Sequence, residues 1–195
     1  VLLENQQLRT ENIANQYETL KNQLNPHMLF NSLNTLNSLI RETPGKAQDY
    51  LQELSKVLRY SLQESDSHRV TLEEEMNFVR SYMYLLQMRF EENLVFEVEV
   101  APEALSKTLP PVSIQLLVEN AVKHNEISNR HPLHIRIRAD KDALSVSNPI
   151  QPKLTASSGT HIGLSNLSKR YQLLFDREIE VKEEKNHFIV ILPLI

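Results

Sequence analysis

Two spacings of apolar residues organise this chain: steps of four and three in its front part, and a mixture of those steps with strict alternation behind. Ile13, Tyr17, Leu20 and Leu24 step by 4, 3 and 4, a coiled-coil-like seam. The seam next predicts apolar residues near 27 and 31, where the chain has His27 and Asn31, directly after Pro26. A second stripe, Leu29, Leu33, Leu36 and Ile40, keeps the same step, and so does a polar one of His27, Asn31, Asn34 and Ser38. At roughly 100° per residue His27 stands about 200° from Leu29, so the pattern presents this imidazole to solvent. Only Pro26 interrupts the run from Val1 to about Thr43. That spacing predicts a helix about 60 Å long.

Thr43-Pro44-Gly45 reads as a turn. The next helix has Ala47, Leu51, Leu54, Val57, Leu58 and Leu62 as its apolar set. Two antiparallel helices of this size cannot bury such stripes alone, so a dimeric four-helix bundle is expected. The polar stretch Ser65 to Arg69 places a boundary there, dividing a helical hairpin over 1–66 from a second domain over 67–195.

Thr71 and Glu74 have capping-box spacing, and Leu72, Met76, Val79, Met83, Leu86 and Phe90 continue as a third helix. The period then drops to two at Phe96, Val98 and Val100, which predicts a strand. Pro110-Pro111 opens a helix running to about Asn125, as proline suits the first turn. Leu133–Ala139 and Leu144–Ser147 read as strands joined across Asp140–Asp142, followed by a polar loop over Pro149–His161. A helix over Ile162–Phe175 and strands near Ile179–Glu183 and Phe188–Leu192 close the chain. Strands and helices without strict alternation predict an α+β sandwich.

Composition narrows the chemistry. Of 195 residues 24% are charged and 41% hydrophobic, a globular balance, and the net charge of -4 supplies no general attraction to nucleic acid. With no cysteine, thiol catalysis, disulfides and cysteine-ligated metals are excluded. Three glycines, Gly45, Gly159 and Gly163, are too few and too scattered for a Walker loop or a dinucleotide fingerprint. No apolar run is long enough to cross a membrane. The start at Val1, without a signal-like segment, reads as a piece of a longer protein.

Three clusters carry candidate chemistry. In Asn25-Pro26-His27-Met28-Leu29-Phe30-Asn31 the imidazole is a candidate nucleophile, and Asn31 lies one turn on, able to orient a phosphoryl group or a water. A polar helix surface with a proline kink is the plainer reading. In Glu119-Asn120-Ala121-Val122-Lys123-His124, Glu119 and Lys123 are spaced for an ordinary surface ion pair. Alternatively Asn120 is a neutral oxygen ligand for Mg²⁺ and Lys123 a counter-charge to phosphate. The third, Gly159-Thr160-His161-Ile162-Gly163-Leu164-Ser165-Asn166, runs from a loop straight into a helix whose first amides suit phosphate, or is simply a flexible loop and a helix start. His131 and His134 are too few to make a metal site.

Asn-Pro-His-x-x-x-Asn, Leu58-Arg59-Tyr60, Met88-Arg89-Phe90, Glu119 to His124 and Gly163-Leu164-Ser165-Asn166 come in the order of the LytS/YehU-type sensor histidine kinases, which the chain resembles from about Leu20 to Leu194. The resemblance implies a dimeric phosphoacceptor hairpin followed by a Bergerat-type ATP-binding sandwich, the whole being a cytoplasmic portion of an inner-membrane sensor with its membrane segment upstream. It further implies that His27 is phosphorylated from ATP, that Asn120 holds Mg²⁺, and that Pro149 to Ile162 is the ATP lid. Lys123, His124, Asn148, Gly159, Gly163, Leu164 and Asn166 complete the nucleotide site, and Glu119 is a candidate for proton handling. The partners implied are a second copy and a response-regulator receiver aspartate, with no nucleic acid.

Three positions depart from the family pattern. Asn148-Pro149-Ile150 stands where Asp-x-Gly is common, His161 takes the middle of a glycine-rich lid pattern, and Asn125 replaces a glycine after Lys-His. Each reduces backbone freedom near the nucleotide. The second reading is therefore a kinase-like dimeric relay with a degraded nucleotide site.

Overall fold

A computed structural model describes residues 25–63, 68–154 and 162–195. The chain forms two compact units, Val1–Asp66 and Ser67–Ile195.

The first unit contains helices α1 (Pro26–Glu42) and α2 (Pro44–Gln63), packed on each other. The expected unbroken helix through Pro26 is not what forms: Asn25 is non-helical, and its side chain accepts hydrogen bonds from the His27 and Met28 amides at 3.1 and 3.4 Å. Proline fits there because the first helical residue has no intrahelical use for its N–H. The seam Ile13 to Leu24 lies outside the described residues. Thr43, with φ -143 and ψ 74, alone makes the corner, and Pro44 already begins α2.

The hairpin buries one stripe and exposes another. Ala47, Tyr50, Leu54, Val57 and Ser61 face inward on α2, with Ser32 buried on α1 and Leu29 and Leu36 half-buried. Phe30, Leu33 and Ile40 on α1, and Leu51 and Leu62 on α2, stay exposed. The stripe expected over Leu29, Leu33, Leu36 and Ile40 is thus split between two faces, because two helices cover only one side of each.

In the second unit, β1 (Val70–Thr71) pairs antiparallel with β3 (Thr108–Leu109). Helix α3 (Leu72–Phe90) opens with the expected capping box: the Glu74 amide donates to Thr71 Oγ1 at 3.2 Å and the Thr71 amide to Glu74 Oε2 at 2.8 Å. The main sheet comprises β2 (Leu94–Val100), β4 (Leu133–Ala139), β5 (Ala143–Pro149), β6 (Glu180–Glu184) and β7 (His187–Pro193). Its order is β2-β4-β5-β7-β6, parallel at β2–β4 and antiparallel elsewhere. Helix α4 (Ser113–His124) supplies the crossover between the parallel strands and α5 (Ile162–Phe175) follows β5.

Strict alternation along β4 decides which face is covered. Leu133, Ile135 and Ile137 are fully buried beneath the helices, α3 lying against β2 and α4 against β4 and β5. His134, Arg136 and Arg138 point to the open face, where Arg136 meets Glu97 at 2.7 Å and Arg138 meets Glu99 at 3.0 Å. These pairs are exposed, so they set register more than stability. This is the α+β arrangement expected; β4 has the expected bounds, while β5 runs over Ala143–Pro149 rather than Leu144–Ser147. The β6–β7 corner, Lys185-Asn186, has φ 48 and 62, as a tight primed hairpin turn requires.

Helix α4 starts later than the double proline predicts. Val112 precedes it in the left-handed region, φ 65 and ψ 13, an unusual place for a β-branched residue. Val112→Asn should raise unfolding stability by about 1 kcal/mol, since asparagine tolerates this conformation. An unchanged or lower denaturant midpoint would mean that the valine's packing outweighs its backbone strain.

Candidate functional site

On α1, His27 is exposed in the first helical turn. Its sequence-expected neighbour is in place: Asn31 Nδ2 lies 3.2 Å from Nδ1 and 3.5 Å from Nε2 of the ring. Asn31 is itself held in the helix by Thr35, whose hydroxyl donates to the Asn31 carbonyl at 3.0 Å. An amide next to an imidazole serves either tautomer. Its NH₂ donates to an unprotonated Nδ1, and its oxygen, after a turn about the terminal bond, accepts from a protonated one. In the second arrangement the lone pair is on Nε2, the outer nitrogen, where a nucleophile is useful.

In the second unit the candidate residues fall on three elements. Glu119, Asn120 and His124 are half-buried on α4, and Lys123 is exposed. Asn148 sits near the end of β5, only 4% exposed, with its Nδ2 donating to the Pro149 carbonyl at 2.8 Å. Gly163, Leu164 and Asn166 occupy the first turn of α5, Leu164 buried and Asn166 exposed. Gly159 and His161 lie outside the described residues. Helices α4 and α5 touch at their starts, where Gly163 lies so close to Leu116 that an added Cβ would rest 3.6 Å from its side chain.

The C-terminal end of α4 is tied to the segment leaving β5 by a network the sequence did not reveal. The Asn125 side chain donates to the Ala121 carbonyl at 2.8 Å and accepts from the Gln151 amide at 2.9 Å. The Glu126 amide donates to the Gln151 carbonyl at 2.7 Å, while Gln151 Nε2 donates to the Glu126 and His131 carbonyls at 2.8 and 3.1 Å. Asn125 has φ -111 and ψ 150, ordinary extended backbone. Glycine's freedom is not required there, so this departure from the family pattern exchanges a flexible joint for a hydrogen-bonded one.

Charge gathers at the same helix end. Lys153 Nζ donates to the Val122 carbonyl at 3.2 Å, a favourable place for a cation. Most of its side chain is exposed, yet desolvation of the ammonium, and secondarily the positive charge of Arg89, hold its pKa below the usual lysine value. Burial raises the Tyr82 phenol well above its ordinary range, Glu119 pushes it further in the same direction, and Arg89 opposes them. Glu119 therefore shares its surroundings with Tyr82 and Arg89. Lys153 and Arg89 carry no periodic signal, and only the folded chain brings them to α4.

Among the described residues, no three His, Asp or Glu side chains gather as a metal cluster. Gln115 Oε1, on the first turn of α4, is a buried side-chain oxygen with no partner among them. Gln115→Met should therefore raise the thermal stability by about 1 kcal/mol, by removing an unsatisfied acceptor at similar volume. A lower melting temperature would show that hydrogen bonds of the amide nitrogen matter more.

Comparison with known proteins agrees with the motifs. Residues 15–94 match the sequence family described as Histidine kinase. The chain is similar to curated sensor histidine kinases of the LytS type. It is 32% identical, over 86% of its own length, to the protein named Sensor histidine kinase/phosphatase LytS of Staphylococcus aureus strain MRSA252, and equally to that of strain Mu50. It spans about a third, 32%, of the length of these curated relatives. Among solved structures, the catalytic domain of histidine kinase ThkA in a nucleotide-free form aligns with a TM-score of 0.49 and 21% identity, over 64% of this chain and 95% of that one.

Proposed function

We propose that this chain is the core of a sensor histidine kinase, in which a nucleotide held by the second unit phosphorylates His27 of the first. The observation that carries the reading is an exposed imidazole at a helix start whose ring nitrogen meets the Asn31 amide, inside the stretch matching the histidine kinase family. In the reaction a ring nitrogen's lone pair attacks the γ-phosphorus of ATP, the bond to the bridging oxygen breaks, and ADP leaves. The Asn31 oxygen orients the ring by accepting from Nδ1–H; attack by Nε2 leaves the ring cationic, and loss of the Nδ1 proton to solvent makes it neutral.

The residues at the end of α4 suit a magnesium nucleotide. Asn120 offers one neutral oxygen, Lys123 and Lys153 offer positive charge, and no carboxylate cluster competes among the described residues. Such a sparse donor set fits an ion that arrives mostly ligated by phosphate oxygens. Bound there, Mg²⁺ would neutralise charge on the transferring group. The first turn of α5, with Gly163, Leu164 and Asn166, together with Gly159, contacts the phosphates, His124 borders them, Asn148 faces the base, and Glu119 handles protons. The lid implied over Pro149 to Ile162 is shortened at both ends, because Pro149 pairs within β5, Gln151 is anchored to Asn125 and Ile162 already belongs to α5. The stretch between Gln151 and α5 acts as the lid.

Two copies pair through the exposed stripe of Phe30, Leu33, Ile40, Leu51 and Leu62 into a four-helix bundle. The phosphoryl group then passes to a receiver-domain aspartate of a response regulator, within a longer sensor anchored to the membrane by an upstream segment. Incubation with γ-labelled ATP and Mg²⁺ should give protein-bound label stable to base and lost in acid. Failure to bind any adenine nucleotide at millimolar concentration would favour the relay reading instead.

A further inference from the structure

One short turn in the second unit is gripped by two charged side chains of opposite sign, each from a different helix. Glu75, on the inward face of α3, is wholly buried, and its two oxygens accept from the amides of Val112 at 3.0 Å and Ile114 at 3.1 Å. From the other side, Arg170 of α5 donates through Nη2 to the Pro111 carbonyl at 3.0 Å. Ser113 closes the turn on itself by donating to the Pro110 carbonyl at 2.6 Å. The left-handed Val112 sits at the centre of this grip. A conformation that costs energy for a β-branched residue persists only where its surroundings hold it.

The two ends of the grip lead to the two groups of residues assigned to the magnesium nucleotide. Helix α4 starts at this turn and carries Asn120 and Lys123 along its length. Helix α5 carries Asn166 one turn before Arg170, on the same face, and Gly163 two turns before it. Leu167 and Tyr171 are fully buried and Tyr171 donates to the Pro193 carbonyl at 3.2 Å, so the body of α5 is already fixed to the sheet. Packing of this kind fixes where the helix lies. Its rotation and axial register relative to α4 need a directional contact, which the guanidinium supplies. Burial lowers the Arg170 pKa and the Glu75 carboxylate opposes that effect, so the two charges sense each other across the turn.

We propose that Arg170 is a positioning residue for the kinase reaction: with Glu75 it clamps the Pro110–Ile114 turn and so fixes the α5 residues Gly163 and Asn166 against the α4 residues Asn120 and Lys123. The proposal rests on the reading of this unit as a nucleotide site. Arg170 touches no reacting atom, and its effect is transmitted through helix register.

Arg170→Met, Arg170→Lys and the unchanged chain are compared by titration with a fluorescent ATP analogue in Mg²⁺, by thermal unfolding, and by hydrogen exchange. Arg170→Met should weaken analogue binding on the order of tenfold and speed exchange in the first turn of α5, with a small change in unfolding temperature. Lysine keeps the charge and one donor to Pro111, so Arg170→Lys should recover most of the affinity. Equal affinity in Arg170→Met overturns the proposal while leaving the nucleotide site intact. So does an affinity loss that tracks unfolding, that lysine does not rescue, and that leaves α5 exchange unaltered. If the unchanged chain itself fails to bind the analogue, the nucleotide-site reading falls and takes this inference with it. That result differs from the first two because it appears without any substitution.

Discussion

His27→Ala should abolish acid-labile phosphate on this chain altogether when it is incubated with γ-labelled ATP and Mg²⁺, while nucleotide binding stays unchanged. The imidazole supplies the attacking lone pair, and alanine offers none. The substitution removes an exposed side chain from the first turn of α1, where the cap comes from Asn25 to backbone amides, so the hairpin should fold as before. His134→Ala is the matching control, since that ring lies on the open face of the sheet in the second unit. Asn31→Ala should leave the phosphorylation site intact but slow labelling by as much as 10²-fold, the scale on which loss of orientation acts. Label that survives His27→Ala would remove the assignment of this helix as phosphoacceptor.

The second large effect is expected at Asn120. Asn120→Ala should weaken nucleotide binding in the presence of Mg²⁺ by about 10- to 100-fold, the cost of leaving a bound charged group short of one ligand. The same variant should lose most of the difference between titrations in Mg²⁺ and in EDTA, as read by calorimetry. Lys123→Ala offers the contrast. An exposed lysine acting as a point charge contributes a salt-dependent part of the affinity and leaves the response to Mg²⁺ in place. An Asn120→Ala protein that still binds more tightly with Mg²⁺ would transfer the ion to another residue.

Much of the architecture could be read from periodicity, and the parts that could not have a common cause. The capping box of α3 and the alternation along β4 are local patterns, and the structure contains both. Glu75 shows the limit. It lies in register with the inward stripe of Leu72, Val79, Tyr82 and Leu86, yet as one of three consecutive glutamates it looks like solvated surface. What makes its burial tolerable is a pair of backbone amides 37 and 39 residues away, which no local window contains. The same holds for Gln151, whose amide meets Asn125 across 26 residues. In the hairpin, the apolar positions were visible but their division between an inner and an outer face was not. That division depends on where the second helix lies.

His27 and Asn31 were legible as a pair because one helical turn separates them, and the structure puts them at hydrogen-bond distance. Asn120, Asn148 and Asn166 stand on different elements, and spacing along the chain does not relate one of them to another. Lys153 emerged only once a charge could be placed against the end of a helix, and Arg89, visible in the sequence within Met88-Arg89-Phe90, gained Lys153 as a charged neighbour only in the folded chain.

One of the two edge strands, β6, has a bearing on how copies of this protein can associate. All five of its residues, Glu180 to Glu184, are exposed, and three of them are glutamates. A neighbour arriving edge to edge would have to align its own acids against these while competing for the strand's free amides and carbonyls. Sheet extension through this edge is thereby discouraged even in a crowded cell.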